Sequence, residues 1–196
     1  MIATLYDVHG NLRALDAVLA EIPEEATIVV GGDVCFAGPQ PAETLERLRA
    51  LGDRVAWVRG NTDRTITTES GLSDEQVAFL QALRPAQLID RVLYVHATPR
   101  NDMDIFTERT PEERIAFLFE DVDADVVVCG HTHMQFDRTI AGKRVVNSGS
   151  VGEPFEDEPG AYWTLDLVHR FTPYDGAAPS KRSRPDTLAE YTKIGL

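Results

Sequence analysis

The chain has 196 residues, 43% hydrophobic and 26% charged, which is the composition of a globular domain with a full core rather than of a disordered chain. A formal net charge of −13 repels long polyanions, so no long nucleic acid is expected as a partner. No segment approaches the length of a membrane span, the first residues show no leader pattern, and Cys35 and Cys129 are too few for a disulfide scaffold; a cytoplasmic protein without a membrane partner is the expectation.

Apolar runs of strand length alternate with amphipathic helical spacing. Strands are expected at Ile2–Tyr6, Thr27–Gly31, Arg54–Val58, Arg91–Val95 and Ala124–Cys129, most of them rich in β-branched residues. Leu12, Leu15, Val18 and Leu19 have helical spacing, as do Leu45, Leu48 and Leu51. Ser73 with Gln76 and Thr110 with Glu113 read as capping boxes, the second with Pro111 at the first helical position.

Beyond residue 134 the pattern turns to strands. Phe136–Ile140 and Arg144–Asn147 form a hairpin around Ala141-Gly142-Lys143, and Tyr162–Leu167 and His169–Tyr174 read as further strands. Residues 175–196 read as a loop and a short helix, Asp186–Ile194, closing one domain over 1–196. A βαβ first half followed by strands implies an α/β fold with mixed sheets covered by helices.

The chemistry sits where these strands end. Four of the five histidines lie in Asp7-Val8-His9-Gly10-Asn11, His96-Ala97-Thr98-Pro99 and Gly130-His131-Thr132-His133, each after a strand-like run. Gly31-Gly32-Asp33 and Gly60-Asn61-Thr62-Asp63 end two more strands. Ligand sites in open α/β sheets gather beyond the carboxyl ends of strands, so Asp7, His9, Asp33, Asn61, His96, His131 and His133 can meet there. Imidazoles, carboxylates and an amide in this number suit two metal ions sharing a ligand. In Asp7-Val8-His9 and His131-Thr132-His133 an extended backbone would put both side chains on one side.

These motifs, with Asp33-Val34 through Gly38-Pro39-Gln40-Pro41, Val58-Arg59-Gly60-Asn61, His96-Ala97-Thr98-Pro99-Arg100 and Asn147-Ser148-Gly149-Ser150-Val151-Gly152-Glu153-Pro154, resemble the calcineurin-like metallophosphoesterase superfamily, in particular its small prokaryotic phosphodiesterase branch. The resemblance covers residues 1 to roughly 175. It implies a four-layer αββα sandwich of two mixed β-sheets flanked by helices. It further implies one metal on Asp7, His9 and His133, a second on Asn61, His96 and His131, and Asp33 bridging both. Manganese is the favoured ion, with iron or zinc as alternatives.

The implied activity is that of a metal-dependent phosphoric ester hydrolase, a phosphodiesterase rather than a phosphomonoesterase, hydrolysing small phosphodiesters by a metal-bridging hydroxide, with Asp33 and Asn61 central to catalysis. A non-catalytic scaffold or binding protein on the same frame is the alternative; that class characteristically lacks some ligands, whereas all seven are present. A homo-oligomer is compatible with the sequence. Asn11 and Arg100 are candidate phosphoryl donors, although Asn11 reads equally as a helix N-cap and Arg100 as a solvated loop residue. The superfamily's Gly-Asn-His-Asp becomes Gly60-Asn61-Thr62-Asp63, which removes the histidine that often protonates the leaving oxygen. Asp63 then reads as a carboxylate orienting a ligand or loop, or as a turn residue. Cys35 is a weak ligand candidate near Asp33, Cys129 a buried apolar thiol, and His169 an ordinary hydrogen-bonded side chain.

Overall fold

In the computed structural model, which describes residues 1–178, ten strands form two five-stranded sheets packed face to face. The first contains β1 (Ile2–Leu5), β2 (Thr27–Val30), β3 (Val55–Trp57), β9 (Ala161–Leu165) and β10 (Val168–Thr172), in the order β10-β9-β1-β2-β3. The second contains β4 (Ala86–Ile89), β5 (Val92–Val95), β6 (Val126–Cys129), β7 (Gln135–Ile140) and β8 (Lys143–Ser148), in the order β4-β5-β6-β8-β7. Both are mixed: β1-β2-β3 and β5-β6-β8 run parallel, and the flanking pairs are antiparallel.

The outer layers follow from the helical patterns. Helix α1 (Leu12–Glu21) buries Ala14, Leu15 and Val18, and α2 (Pro41–Arg49) buries Leu45 and Leu48, against one face of the first sheet. The short α3 (Asn61–Thr65) follows β3, and α4 (Asp74–Gln81) starts at the expected capping box, with Gln76 N–H donating to Ser73 Oγ and Ser73 N–H to Gln76 Oε1. The four-layer αββα reading holds, but the layer over the second sheet is made of two one-turn 3₁₀ helices, Glu112–Arg114 and Ala116–Leu118.

The capping box expected at Thr110 does not form. Arg138 Nη1 donates to the carbonyls of Thr107, Glu108 and Thr110, and so takes the Thr110 acceptor that the first α-helical turn would need. Pro111 accordingly lies in extended backbone, and Thr110 Oγ1 accepts from Thr107 N–H instead.

Three hairpins close on two-residue turns with both residues in the left-handed region: Asp90-Arg91, Ala141-Gly142 and Asp166-Leu167. Lys143, expected in the turn, is the first residue of β8. Strand β4 was not legible, because Ala-Gln-Leu-Ile lacks β-branched enrichment and its turn carries no glycine. The expected helix at Asp186–Ile194 lies outside the described residues.

Between the sheets, Tyr6, Val29, Val58, Tyr94 and Val128 form an apolar layer, and the Tyr6 hydroxyl donates to Val128 O across it. Beside that layer lies a buried hydroxyl chain: Thr4 Oγ1 is 2.6 Å from Thr164 Oγ1 and 2.9 Å from Ser148 Oγ. The chain ties the β1-β9 pair to β8, directly behind the strand ends that carry Asp7 and Asn147. Thr4→Val should cost about 1–3 kcal/mol, because two buried hydroxyls lose a partner. Thr4→Val with Thr164→Val should cost less than the sum of the two single changes; urea denaturation of the three variants checks this, and strict additivity would contradict the coupling.

Candidate metal centre

All seven strand-end side chains converge, but not through extended backbone. Asp7, His9, Asp33, His131 and His133 have φ between 49° and 64°, so each Asp-x-His and His-x-His pair is turned inward by left-handed residues and not by the pleat of a strand. This corrects the geometric reason expected from spacing. Non-glycine residues held in this region cost on the order of 1–3 kcal/mol each, and they persist only where the surroundings over-determine them.

The surroundings do so with backbone. Asp7 N–H donates to Gly32 O, His9 N–H to Asp33 O and Gly10 N–H to Val34 O, which locks the first loop to the second. Ser150 Oγ and Gly152 N–H both donate to Asp7 O, and Phe155 N–H donates to His133 O. Asn147 Nδ2 donates to Gly130 O and to Thr132 Oγ1. The Asn147 to Pro154 motif is therefore a buttress behind the ligands. Gly60 is required by approach: a Cβ there would meet Asp33 Oδ1 at 2.1 Å.

Each histidine's orientation is set from behind. His9 Nδ1 faces Phe36 O at 2.9 Å, His96 Nδ1 faces Gly31 O at 2.9 Å, and His133 Nδ1 faces Glu153 O. A carbonyl can only accept, so these three rings carry a proton on Nδ1 and turn Nε2 inward. There, His9 Nε2 lies 3.2 Å from His133 Nε2, and His96 Nε2 lies 3.0 Å from Asn61 Oδ1 and 3.2 Å from His131 Nδ1.

Asp7 occupies the middle. Its Oδ2 accepts from His131 N–H at 2.8 Å, while Oδ1 is buried and, among the described residues, has no hydrogen-bond donor; it lies 3.4 Å from His133 Nε2, 3.8 Å from His9 Nε2 and 4.0 Å from His96 Nε2. A buried carboxylate oxygen without a hydrogen-bond donor, facing the Nε2 atoms of three imidazoles, has the donor set of a cation site. The donors fall into two groups, Asp7 with His9 and His133, and Asp7 with Asp33 and His96, each with its ligand atoms within 4.8 Å of one another. Asn61 and His131 adjoin the second group through His96. Nitrogen and oxygen donors without thiolate suit a divalent transition metal.

The electrostatics match. Burial pushes the Asp7 carboxyl up, but the imidazoles around it, His133 foremost, hold it well below the usual carboxylate range. Burial and His133 lower His9, and burial with His96 lowers His131 to about 4, so both are neutral and ready to ligate near pH 7. Burial also works to lower His96, yet Asp33 and Asp7 outweigh it and raise the ring.

Asp63 resolves as a clamp. Its Oδ2 accepts from Asp33 N–H at 2.8 Å and Gly60 N–H at 2.9 Å, and its Oδ1 from Val34 N–H at 3.0 Å, which fixes the Asp33 loop against the Asn61 loop. Burial, with Asp33 nearby, pushes it up to about 6. Asn11 Oδ1 caps α1 at Ala14 N–H, while its amide donates to Gly152 O and Tyr174 Oη. Arg100 pairs with Asp104 in a cleft beside His96. Cys35 Sγ donates to Pro41 O and is pushed up by burial, as is Cys129, which accords with inert thiols. His169 Nε2 bonds to Asn147 O.

The family model of the calcineurin-like phosphoesterase superfamily domain matches residues 1–170. The chain belongs to the calcineurin-like phosphoesterase superfamily. Phosphodiesterase YfcE of Escherichia coli K12 is 28% identical over 174 residues, covering 82% of this chain and 84% of YfcE. The symmetrical bis(5′-nucleosyl)-tetraphosphatase of Pectobacterium carotovorum is 42% identical over 60 residues, 29% of this chain and 21% of that protein. The crystal structure of a metallophosphoesterase from Sphaerobacter thermophilus shares the fold, with a TM-score of 0.73 at 23% identity over 88% of each chain. Calcineurin-like phosphoesterases use divalent metals, and the two donor groups are where this one can hold them.

Asp33→Asn and Asp63→Asn should separate the roles. Asp33→Asn removes a buried negative charge beside Asp7 and Asp63, so the metal-free protein should melt no lower than wild type while metal affinity collapses. Asp63→Asn turns an acceptor oxygen into an amide facing N–H donors; the metal-free protein should melt lower, with a loss of about 10–100-fold in metal affinity or activity. Calorimetry of both variants with and without Mn²⁺ checks this, and equal destabilisation of the two metal-free proteins would contradict it.

Proposed function

We propose that the chain is a dinuclear-metal-dependent phosphodiesterase acting on small phosphodiesters, with Asp7, His9 and His133 holding one ion, Asn61, His96 and His131 the other, and Asp33 between them. The observation that carries this reading is the buried, donor-less Asp7 Oδ1 at the meeting point of two donor groups. A scaffold would have no reason to retain seven converging ligands at the cost of left-handed strain. Manganese is the favoured ion, and a cytoplasmic location accords with two buried free thiols. One metallophosphoesterase domain accounts for the chain, and its acidity favours small phosphoesters over long nucleic acids.

Two divalent ions, when bound, supply Lewis acidity toward phosphoryl oxygens and lower the pKa of water at neutral pH. The chain's own residues position that chemistry. The Nδ1-anchored imidazoles cannot rotate away, and the Asp63 clamp keeps Asp33 in register with Asn61. Thr62 N–H donates to Asp33 Oδ1 at 2.9 Å and so fixes the carboxylate rotamer. The Thr62 hydroxyl is buried without a partner among the described residues, and it is too weak an acid to protonate a leaving alkoxide.

That absence favours substrates whose leaving groups need no proton. The names of two relatives point the same way: one is a phosphodiesterase, and the other acts on a bis(5′-nucleosyl) tetraphosphate, whose departing phosphate groups are already good leaving groups. With Mn²⁺ added, aryl phosphodiesters should turn over well and alkyl phosphomonoesters poorly. The rate should depend steeply on leaving-group pKa, and Thr62→His should flatten that slope, by about 10²–10⁴-fold for the poorest leaving groups. A shallow slope in the wild-type protein, with chemistry rate-limiting, would contradict the account of Thr62; no metal-dependent turnover of any phosphoester would overturn the function.

A further inference from the structure

A cleft of about 290 Å³ adjoins the metal centre, with His96 in its wall. Three guanidinium groups line it: Arg59 from the end of β3, Arg64 from α3, and Arg100 from the loop after β5. In a chain of net charge −13 this is a local reversal of sign, because the lining holds one carboxylate, Asp102.

Two of the three are fixed in orientation. Arg64 donates from Nε and Nη2 to the two oxygens of Asp102, at 2.8 and 3.2 Å. Arg100 donates from the same two nitrogens to Asp104, a carboxylate 5% exposed that Thr98 and Asn101 also hold, and its guanidinium stacks over Phe117. Each fork therefore spends one edge on an internal carboxylate and, among the described residues, leaves Nη1 without a partner. Arg59 is different: its Nη1 donates to Gln81 O, and its Nε is buried with no acceptor among the described residues. A buried guanidinium donor left unmet is costly unless a ligand supplies the acceptor. Fixed, planar, multi-donor cations are what phosphate oxygens bind best.

One phosphoryl group does not need this set, since the metal centre already provides the cations for it. The inference rests on the phosphoesterase reading above. We propose that the Arg59, Arg64 and Arg100 cleft is a subsite for a second anionic phosphoryl group of the substrate, so that preferred esters carry one phosphoryl group at the centre and another beyond His96.

The test uses p-nitrophenyl alkyl phosphodiesters whose alkyl chain, of two to six carbons, ends either in a phosphonate or in a methyl group. The scissile ester and leaving group are the same throughout, so the ratio of kcat/KM within each pair reads the second anion alone. At one chain length the wild-type protein should prefer the phosphonate by about tenfold or more, mainly through KM, with the preference shrinking as salt is raised. Arg59→Met should bring that ratio most of the way to one, and Arg64→Lys, which keeps the charge but loses the fork, should lower it partly. Ratios near one at every chain length, or ratios unchanged in Arg59→Met, would overturn the subsite while leaving the phosphoesterase reading standing. Hydrolysis of neither ester in any pair would overturn that reading and the subsite with it.

Discussion

The rest of the molecule is arranged around a single constraint: the buried Oδ1 of Asp7 is held among the Nε2 atoms of His9, His96 and His133 and, among the described residues, has no hydrogen-bond donor. Three backbone carbonyls enforce it by claiming the Nδ1 protons, and left-handed turns at five ligand residues hold it. In a protein selected for stability alone such an arrangement would relax, by rotating a side chain until Oδ1 met a donor. Here the buttress from Asn147 to Phe155, the Asp63 clamp and the Thr4 hydroxyl chain all oppose relaxation. Cations give Oδ1 and the inward ring nitrogens the partner that the fold withholds, which is the usual relation between strain at a site and its function.

The site was more legible than the fold around it. Asp, His and Asn side chains at the ends of β-branched runs can be read directly, because strand ends are where an α/β sheet gathers ligands. The backbone conformation that brings them together was not legible. An Asp-x-His pair has the same spacing whether its backbone is extended or left-handed, and only long-range bonds such as Asp7 N–H to Gly32 O decide which. Asp63 stayed open between an orienting carboxylate and a turn residue for the same reason, since two of its three backbone partners, Asp33 and Val34, lie on a segment that sequence does not show to be adjacent.

Strand β4, the turn after β9 and the segment after Thr110 show where local signals yield to tertiary ones. The Asp90-Arg91 and Asp166-Leu167 turns adopt a conformation usually marked by glycine or asparagine, so neither hairpin announces itself cleanly. Thr110-Pro111 carries a good helix start, yet Arg138, from a strand almost thirty residues later, takes the carbonyl the helix needed. Likewise Arg59, Arg64 and Arg100 are unremarkable as separate residues; their shared cleft exists only because β3, α3 and the loop after His96 end side by side.

Whether the proposed site for two divalent ions is preformed is a question of stoichiometry and position. Metal-stripped protein dialysed against Mn²⁺, washed, and counted by elemental analysis beside an anomalous difference map of the crystals tests it most directly. Close to two ions per chain are expected, one among Asp7, His9 and His133 and one among Asn61, His96 and His131, with Asp33 touching both. A single ion per chain at saturation, with Asn61 and Asp33 both outside its coordination shell, would contradict it.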